Sequence, residues 1–149
     1  MHTLLKTIAP MLLCAFALSA ADDPFIGTWK LNVAKSKFDP GPPTKSTTVA
    51  IAADGKVTVN EENAKGEKLE WSYTLSPGAA SKITGLPDPN ATVTETRKGN
   101  VVDHAWKIGA GAMKGHGTLS KDGKTMTYNI QGTDPDGKKF KNAEIYDRQ

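Results

Sequence analysis

Phe25-Ile26-Gly27-Thr28-Trp29-Lys30-Leu31-Asn32-Val33-Ala34-Lys35-Ser36 is the stretch on which the reading of this chain turns. Gly27 and Trp29 stand two apart, so in a strand they share one face. There the glycine lets another backbone approach, and the indole closes an apolar interior. Trp29 reads as the plug of a small β-barrel, with an ordinary core tryptophan in any β-sheet as the alternative.

The residues before this stretch have another character. Lys6 supplies a positive start, Ile8 to Leu18 is mostly apolar, and Ser19-Ala20-Ala21 provides the small residues of a cleavage site, so residues 1–21 read as a secretory signal peptide. The apolar run contains Pro10 and falls short of the roughly 18 to 20 residues a membrane span needs. Cys14 follows Leu12-Leu13 where a lipoprotein signal wants small residues, so lipidation is not expected. The reading is an exported protein, periplasmic or secreted, with residues 22–149 forming one domain. Cys14 is the only cysteine, which leaves the exported part without a disulfide and without cysteine nucleophiles or ligands. With 19 basic and 16 acidic residues scattered along the chain, a nucleic-acid footprint is not expected.

Downstream of Ser36 the pattern has period two. Thr47, Val49, Ile51 and Ala53 alternate up to Asp54-Gly55; Val57 and Val59 return; Leu69, Trp71, Tyr73 and Leu75 form one face of the cleanest strand. Strand character resumes at Ala91 to Arg97 and runs back through Val102, His104, Trp106 and Ile108. Thr125 to Gln131 and Lys139 to Asp147 complete it. Asp-Gly-Lys recurs at 54, 122 and 136, which predicts tight hairpins of type I′ geometry. Three stretches read as irregular: Val33 to Lys45 with its three prolines, Pro77 to Asn90, and the glycine-rich Gly109 to Gly117, taken as a wide bend. Eight or nine antiparallel, up-and-down strands with no helix follow, and closure into a barrel removes two exposed edges.

Gly27-Thr28-Trp29-Lys30-Leu31-Asn32, Ala34-Lys35-Ser36-Lys37-Phe38, Pro40-Gly41-Pro42, Ser120-Lys121-Asp122-Gly123-Lys124-Thr125-Met126-Thr127 and Tyr146-Asp147-Arg148-Gln149 resemble the calycin barrels, in particular small exported bacterial lipocalin-like proteins of unknown function. The resemblance implies that Gly27 and Trp29 close the barrel base and that Arg148 stacks on the indole, a cation–π contact worth ~0.5 to 2 kcal/mol. Thr133-Asp134-Pro135, beside a hairpin, reads as turn chemistry.

The candidate ligand-binding residues are Trp71, Tyr73, His104, Trp106 and Tyr128, which with Met126 and Phe140 fall on apolar-rich stripes. His104 is the polar member of its stripe and points into the barrel or packs at its mouth. His116 is the one other histidine after residue 21; no spacing of metal ligands, serine elbow, carboxylate pair or phosphate loop stands out. No cofactor and no metal are expected. An eight-stranded barrel is just wide enough to be filled by side chains or to hold one small ligand. Small inward candidates, Ala50, Ala53, Ala91, Ala105 and Ala143, leave room for a cavity. Two readings therefore stand: a monomeric carrier of a small apolar ligand, or a filled barrel serving as an envelope or protein-interaction module. An enzyme on the same scaffold has no support in the motifs, and His104 would be its first residue to test.

Overall fold

The computed structural model describes residues 23–149; the expected signal peptide, with Cys14, lies outside them. Eleven strands are present: β1 (Gly27–Leu31), β2 (Lys37–Asp39), β3 (Ser46–Ile51), β4 (Lys56–Glu62), β5 (Lys68–Thr74), β6 (Ala80–Lys82), β7 (Thr92–Lys98), β8 (Val101–Ile108), β9 (Gly111–Leu119), β10 (Thr125–Thr133) and β11 (Lys139–Arg148). A single 3-10 turn, Val33–Lys35, follows β1, and Asn32 caps it by accepting from the Lys35 amide. The sheet runs β5-β4-β3-β1-β11-β10-β9-β8-β7-β6, every pair antiparallel, with β2 added to β11. It curls into a nearly closed barrel. The seam between its ends is a single bridge, Ser72 to Thr84, whose backbones exchange hydrogen bonds of 2.9 Å in both directions.

The count exceeds the expected eight or nine because two stretches read as irregular each contain a three-residue strand. β2 ends at Asp39, one residue before the first proline, so its ladder with Lys141–Ala143 needs no amide that proline lacks. β6 pairs with Thr92–Thr94 and delivers Ile83 into the core at 1% exposure. The glycine-rich segment is no bend either. Gly111–Leu119 is a continuous strand in register with β8 and β10, and its glycines face inward where neighbouring side chains need the space. A β-carbon on Gly117 would lie 2.7 Å from Val102 Cγ1 and 3.1 Å from Tyr128 Cδ2.

The hairpins also depart from type I′. Among the described residues none other than glycine has positive φ, whereas type I′ needs it at both central positions. Instead Gly55, Gly123 and Gly137 donate back to Ala52, Ser120 and Asp134, at 3.0, 2.9 and 2.9 Å, and themselves take φ of 86°, 69° and 81°. Each is a tight turn closed by a glycine in the left-handed region. The aspartate sits just before that glycine, and Asp54 and Asp122 accept from the amides of Lys56 and Lys124.

Two apolar clusters fill the interior. One surrounds Trp29 with Phe25, Leu31, Val102, Leu119, Met126, Tyr128 and Tyr146; the other joins Val57, Val59, Tyr73, Ile83, Ala91, Val93 and Trp106. Of the small candidates, Ala91 is buried and Ala143 half-buried, but Ala50 and Ala105 are exposed on the outer wall and Ala53 is exposed in the turn after β3. They leave no room inside. Leu69 shares the face of Trp71 and Tyr73, opposite Glu61, but near the strand end it is exposed.

Trp29 is fully buried, and its Nε1–H donates to the Phe25 carbonyl at 2.9 Å. The Arg148 guanidinium lies 4.2 Å from the indole centroid. Its Nη1 and Nε donate to the carbonyls of Ile26 and Gly123 at 2.7 Å each, and Nη2 to that of Pro24. One side chain thus ties the segment before β1 to the β9–β10 hairpin across the plug. Gly27, at φ 138°, makes the crossing possible: a β-carbon there would stand 2.7 Å from Arg148 Nη1.

Candidate functional site

Trp71, Tyr73, His104, Trp106 and Tyr128 come from β5, β8 and β10, and the curvature of the sheet brings them into one cluster on the inner face. Trp106 is its centre. The Trp71 and Tyr73 rings meet it edge-on, with centroids 5.4 and 6.0 Å away, and His104 stacks on it at 5.1 Å. Trp71 and Tyr73 stack on each other at 6.3 Å. Offset and edge-on contacts of this kind favour aromatic packing over face-to-face sandwiches.

The polar atoms of the cluster form a chain. Trp106 Nε1–H donates to the Tyr128 hydroxyl (3.4 Å), which lies 3.1 Å from His104 Nδ1; His104 Nε2 lies 3.2 Å from Glu95 Oε2 and 3.4 Å from the Tyr73 hydroxyl. The Tyr73 hydroxyl donates to Glu95. A proton on His104 Nε2 faces Glu95 Oε2, so that contact has the right polarity. Glu95 is then joined by Arg97, which also reaches Asp23. Among the described residues, Arg97 Nη2 is buried with no hydrogen-bond partner, and the Phe25 ring lies 5.6 Å from its guanidinium carbon.

Burial alone would raise the Glu95 carboxyl, but the hydrogen bond and charge of His104, the Tyr73 hydroxyl and Arg97 together hold it down at about 2. Tyr73 is pushed well above its ordinary value by burial and then by Glu95, and Tyr128 by burial above all. Near neutral pH the cluster therefore holds two neutral phenols and one carboxylate compensated by arginine. No nucleophile in it is activated.

A second polar group lies on the inner face of β4 and β11. Glu144 Oε2 accepts from the Tyr146 hydroxyl at 2.8 Å, and Oε1 from Asn142 Nδ2 at 3.1 Å. Burial raises Glu144, and burial together with the charge of Glu144 raises Glu61. Tyr146 is raised by burial and by Glu144.

The sequence reading singled out the aromatic members and His104 but passed over Glu95, Arg97, Glu61 and Glu144. Their signal is the same alternation: Ala91, Val93, Glu95 and Arg97 share a face, as do Val57, Val59 and Glu61. His116, by contrast, points outward and pairs with Asp103 at 2.7 Å on the exposed wall. No group of three or more possible metal ligands occurs among the described residues.

No protein-family model matches this chain, and no curated protein matches it. Solved structures do. Fatty-acid-binding protein 1 from Echinococcus granulosus superposes with a TM-score of 0.52 at 13% identity, covering 84% of this chain and 97% of that one. The wild-type fluorescent protein UnaG gives a TM-score of 0.51 at 14% identity, with coverage of 84% and 97%. At such identities the likeness is one of architecture alone: this chain folds as an antiparallel β-barrel like those of the two proteins.

Proposed function

We propose that this chain is an extracytoplasmic, monomeric barrel protein that binds a small apolar ligand against Trp71, Tyr73, Trp106 and Tyr128, with His104 as the polar contact. The observation that carries the reading is the convergence of these five side chains from three strands on one inner-face cluster, beside the least-bonded seam of the barrel. Trp71 is half-buried next to Ser72, and Gly85, at φ 96°, packs so close to the Glu70 carbonyl that a β-carbon would overlap it. Opening the Ser72–Thr84 bridge exposes the aromatic cluster without breaking any other ladder pair, so this is the natural way in. Export rests on residues 1–21, and the fold shared with a fatty-acid-binding protein supports an apolar ligand class.

One observation favours the filled-barrel reading: Tyr73, Trp106 and Tyr128 are only 5, 9 and 8% exposed, and their polar atoms are spent on one another. A ligand must displace these contacts. The two readings are separated by titration with fatty acids, retinoid-like molecules and other apolar probes. Binding alters the emission of Trp71 and Trp106 and raises the melting temperature by linkage. Unchanged fluorescence and melting temperature across the series would select the interaction module. Where binding is found, His104→Ala weakens it, and an unchanged affinity would return His104 to the core.

A further inference from the structure

The outer wall over β8, β9, β10 and β11 carries a feature that the interior does not need. A groove of about 650 Å³ runs over it between Lys107, Lys114, Lys139 and Lys141, and a second of about 520 Å³ continues it, sharing Lys114, Gln131 and Lys141. Strand register explains the hollow. Lys107 stands opposite Ala112, and Lys114 opposite Ala105, so each long side chain faces a methyl across the ladder. Thr92 and Thr94 extend the low floor, and Gln131 sits between Lys114 and Lys141. Lys114 and Lys141 are two strand spacings apart, about 10 Å, and Lys139 and Lys141 are about 7 Å apart along β11.

All four lysines are exposed, and among the described residues none has a carboxylate within ion-pair distance. Asp103 is the sole acidic residue lining either groove, and it is occupied by His116. Like charges crowded on one wall of a chain with a formal charge of only +3 repel one another, and a multivalent anion relieves that repulsion. The volume lies within the range of small-molecule sites, about 300 to 1,000 Å³. There is no arginine in either groove, so the planar fork that suits single carboxylates is missing. Lysine ammoniums act as point charges and match phosphate groups, which carry about −1.5 to −2 each.

We propose that this lysine-rimmed trough on the outside of the barrel binds a small polyanion carrying two or more phosphate groups. Trp106 and His104 of the interior cluster also border the two grooves, but the lysines that carry the site face outward, so lysine variants test it apart from the apolar ligand. The probe is sodium tripolyphosphate, titrated calorimetrically into the full chain near pH 7 at about 50 mM salt, where surface charge is weakly screened. Saturable binding is expected, weakened by about tenfold or more in Lys114→Ala/Lys141→Ala, and little changed in Lys56→Ala/Lys68→Ala on the opposite wall. Amide shifts on the unmodified chain should concentrate at Thr94, Ala105 and Ala112, a readout that needs no variant to fold. Absence of binding, equal losses in both double variants, or equal affinity for a tetraglutamate peptide would each overturn the proposal.

Discussion

Replacing Trp29 with alanine tests the reasoning about closure most directly. The indole is fully buried; a tryptophan of about 150 to 250 Å² at roughly 25 cal/mol per Å² sets an upper bound near 6 kcal/mol on what its burial contributes. Large-to-small changes at core aromatics cost about 3 to 5 kcal/mol. The alanine variant also strands the Phe25 carbonyl, at about 1 kcal/mol, and removes the ring beneath Arg148, worth ~0.5 to 2 kcal/mol. The expected loss is about 5 kcal/mol, comparable to the whole stability of a domain this size. Trp29→Phe keeps most of the volume and gives up the Nε1–H donor, so it should lose only about 1 to 2 kcal/mol. Urea unfolding followed by far-ultraviolet circular dichroism measures both. A double-mutant cycle with Arg148→Met isolates the stacking, with an expected coupling of about 1 kcal/mol. A loss below about 1 kcal/mol for Trp29→Ala, or no coupling to Arg148, would refute the account of the plug.

Further outcomes follow from the interior. Gly115→Ala drives a methyl into the Tyr128 hydroxyl and ring, breaks its bonds to His104 and Trp106, and should cost about 3 kcal/mol with a shift in tryptophan emission; a neutral effect in thermal melts would show that Tyr128 is free to move. Stability should peak at mildly acidic pH. Glu95 is depressed from 4.5 to about 2, so its contribution of roughly 3 kcal/mol is present above about 4.5 and lost as pH falls towards 2. Glu61 and Glu144 are raised, so their favourable protonated state is complete below 4.5 and lost as pH rises through their folded values. Glu144→Gln should flatten the upper limb of a melting-temperature profile; a wild-type profile climbing steadily to pH 8 would contradict this. A disulfide made by Ser72→Cys and Thr84→Cys, in a chain with Cys14→Ser, should raise stability by about 2 to 3 kcal/mol and slow uptake of any apolar probe. Unchanged uptake in stopped-flow fluorescence would place the opening elsewhere.

Alternation carries information about faces, which is why all-β antiparallel architecture and the inward set Trp71, Tyr73, His104, Trp106 and Tyr128 were legible before any coordinates. It carries no information about which inward residues touch across the lumen. His104 and Glu95 are nine residues apart in the chain but directly opposite in the β7–β8 register, and Tyr73 reaches both from β5 across the seam. The ion chain of Asp23, Arg97 and Glu95 was missed because a charged residue on a half-apolar strand reads as solvent-facing until its partner is seen. Short strands were missed for a related reason. Three residues show too little periodicity to announce β2 or β6, whose existence is due to pairing with β11 and β7.

By itself the sequence determined the period of two, the positions of the turns at Asp54-Gly55, Asp122-Gly123 and Asp136-Gly137, the inward direction of Trp29, and the charge balance, because each depends on residues within a few positions of one another. Tertiary structure alone decided the rest. Trp29 meets Arg148 because β1 pairs with β11, the chain's two ends. The inner glycines of β9 are a packing requirement set by Tyr128, Met126 and Val102, and the lysines of β8, β9 and β11 share one wall because three separate ladders bring them together. Such contacts join residues distant in the chain, and only the energy of closing the sheet selects among the registers that local pattern leaves open.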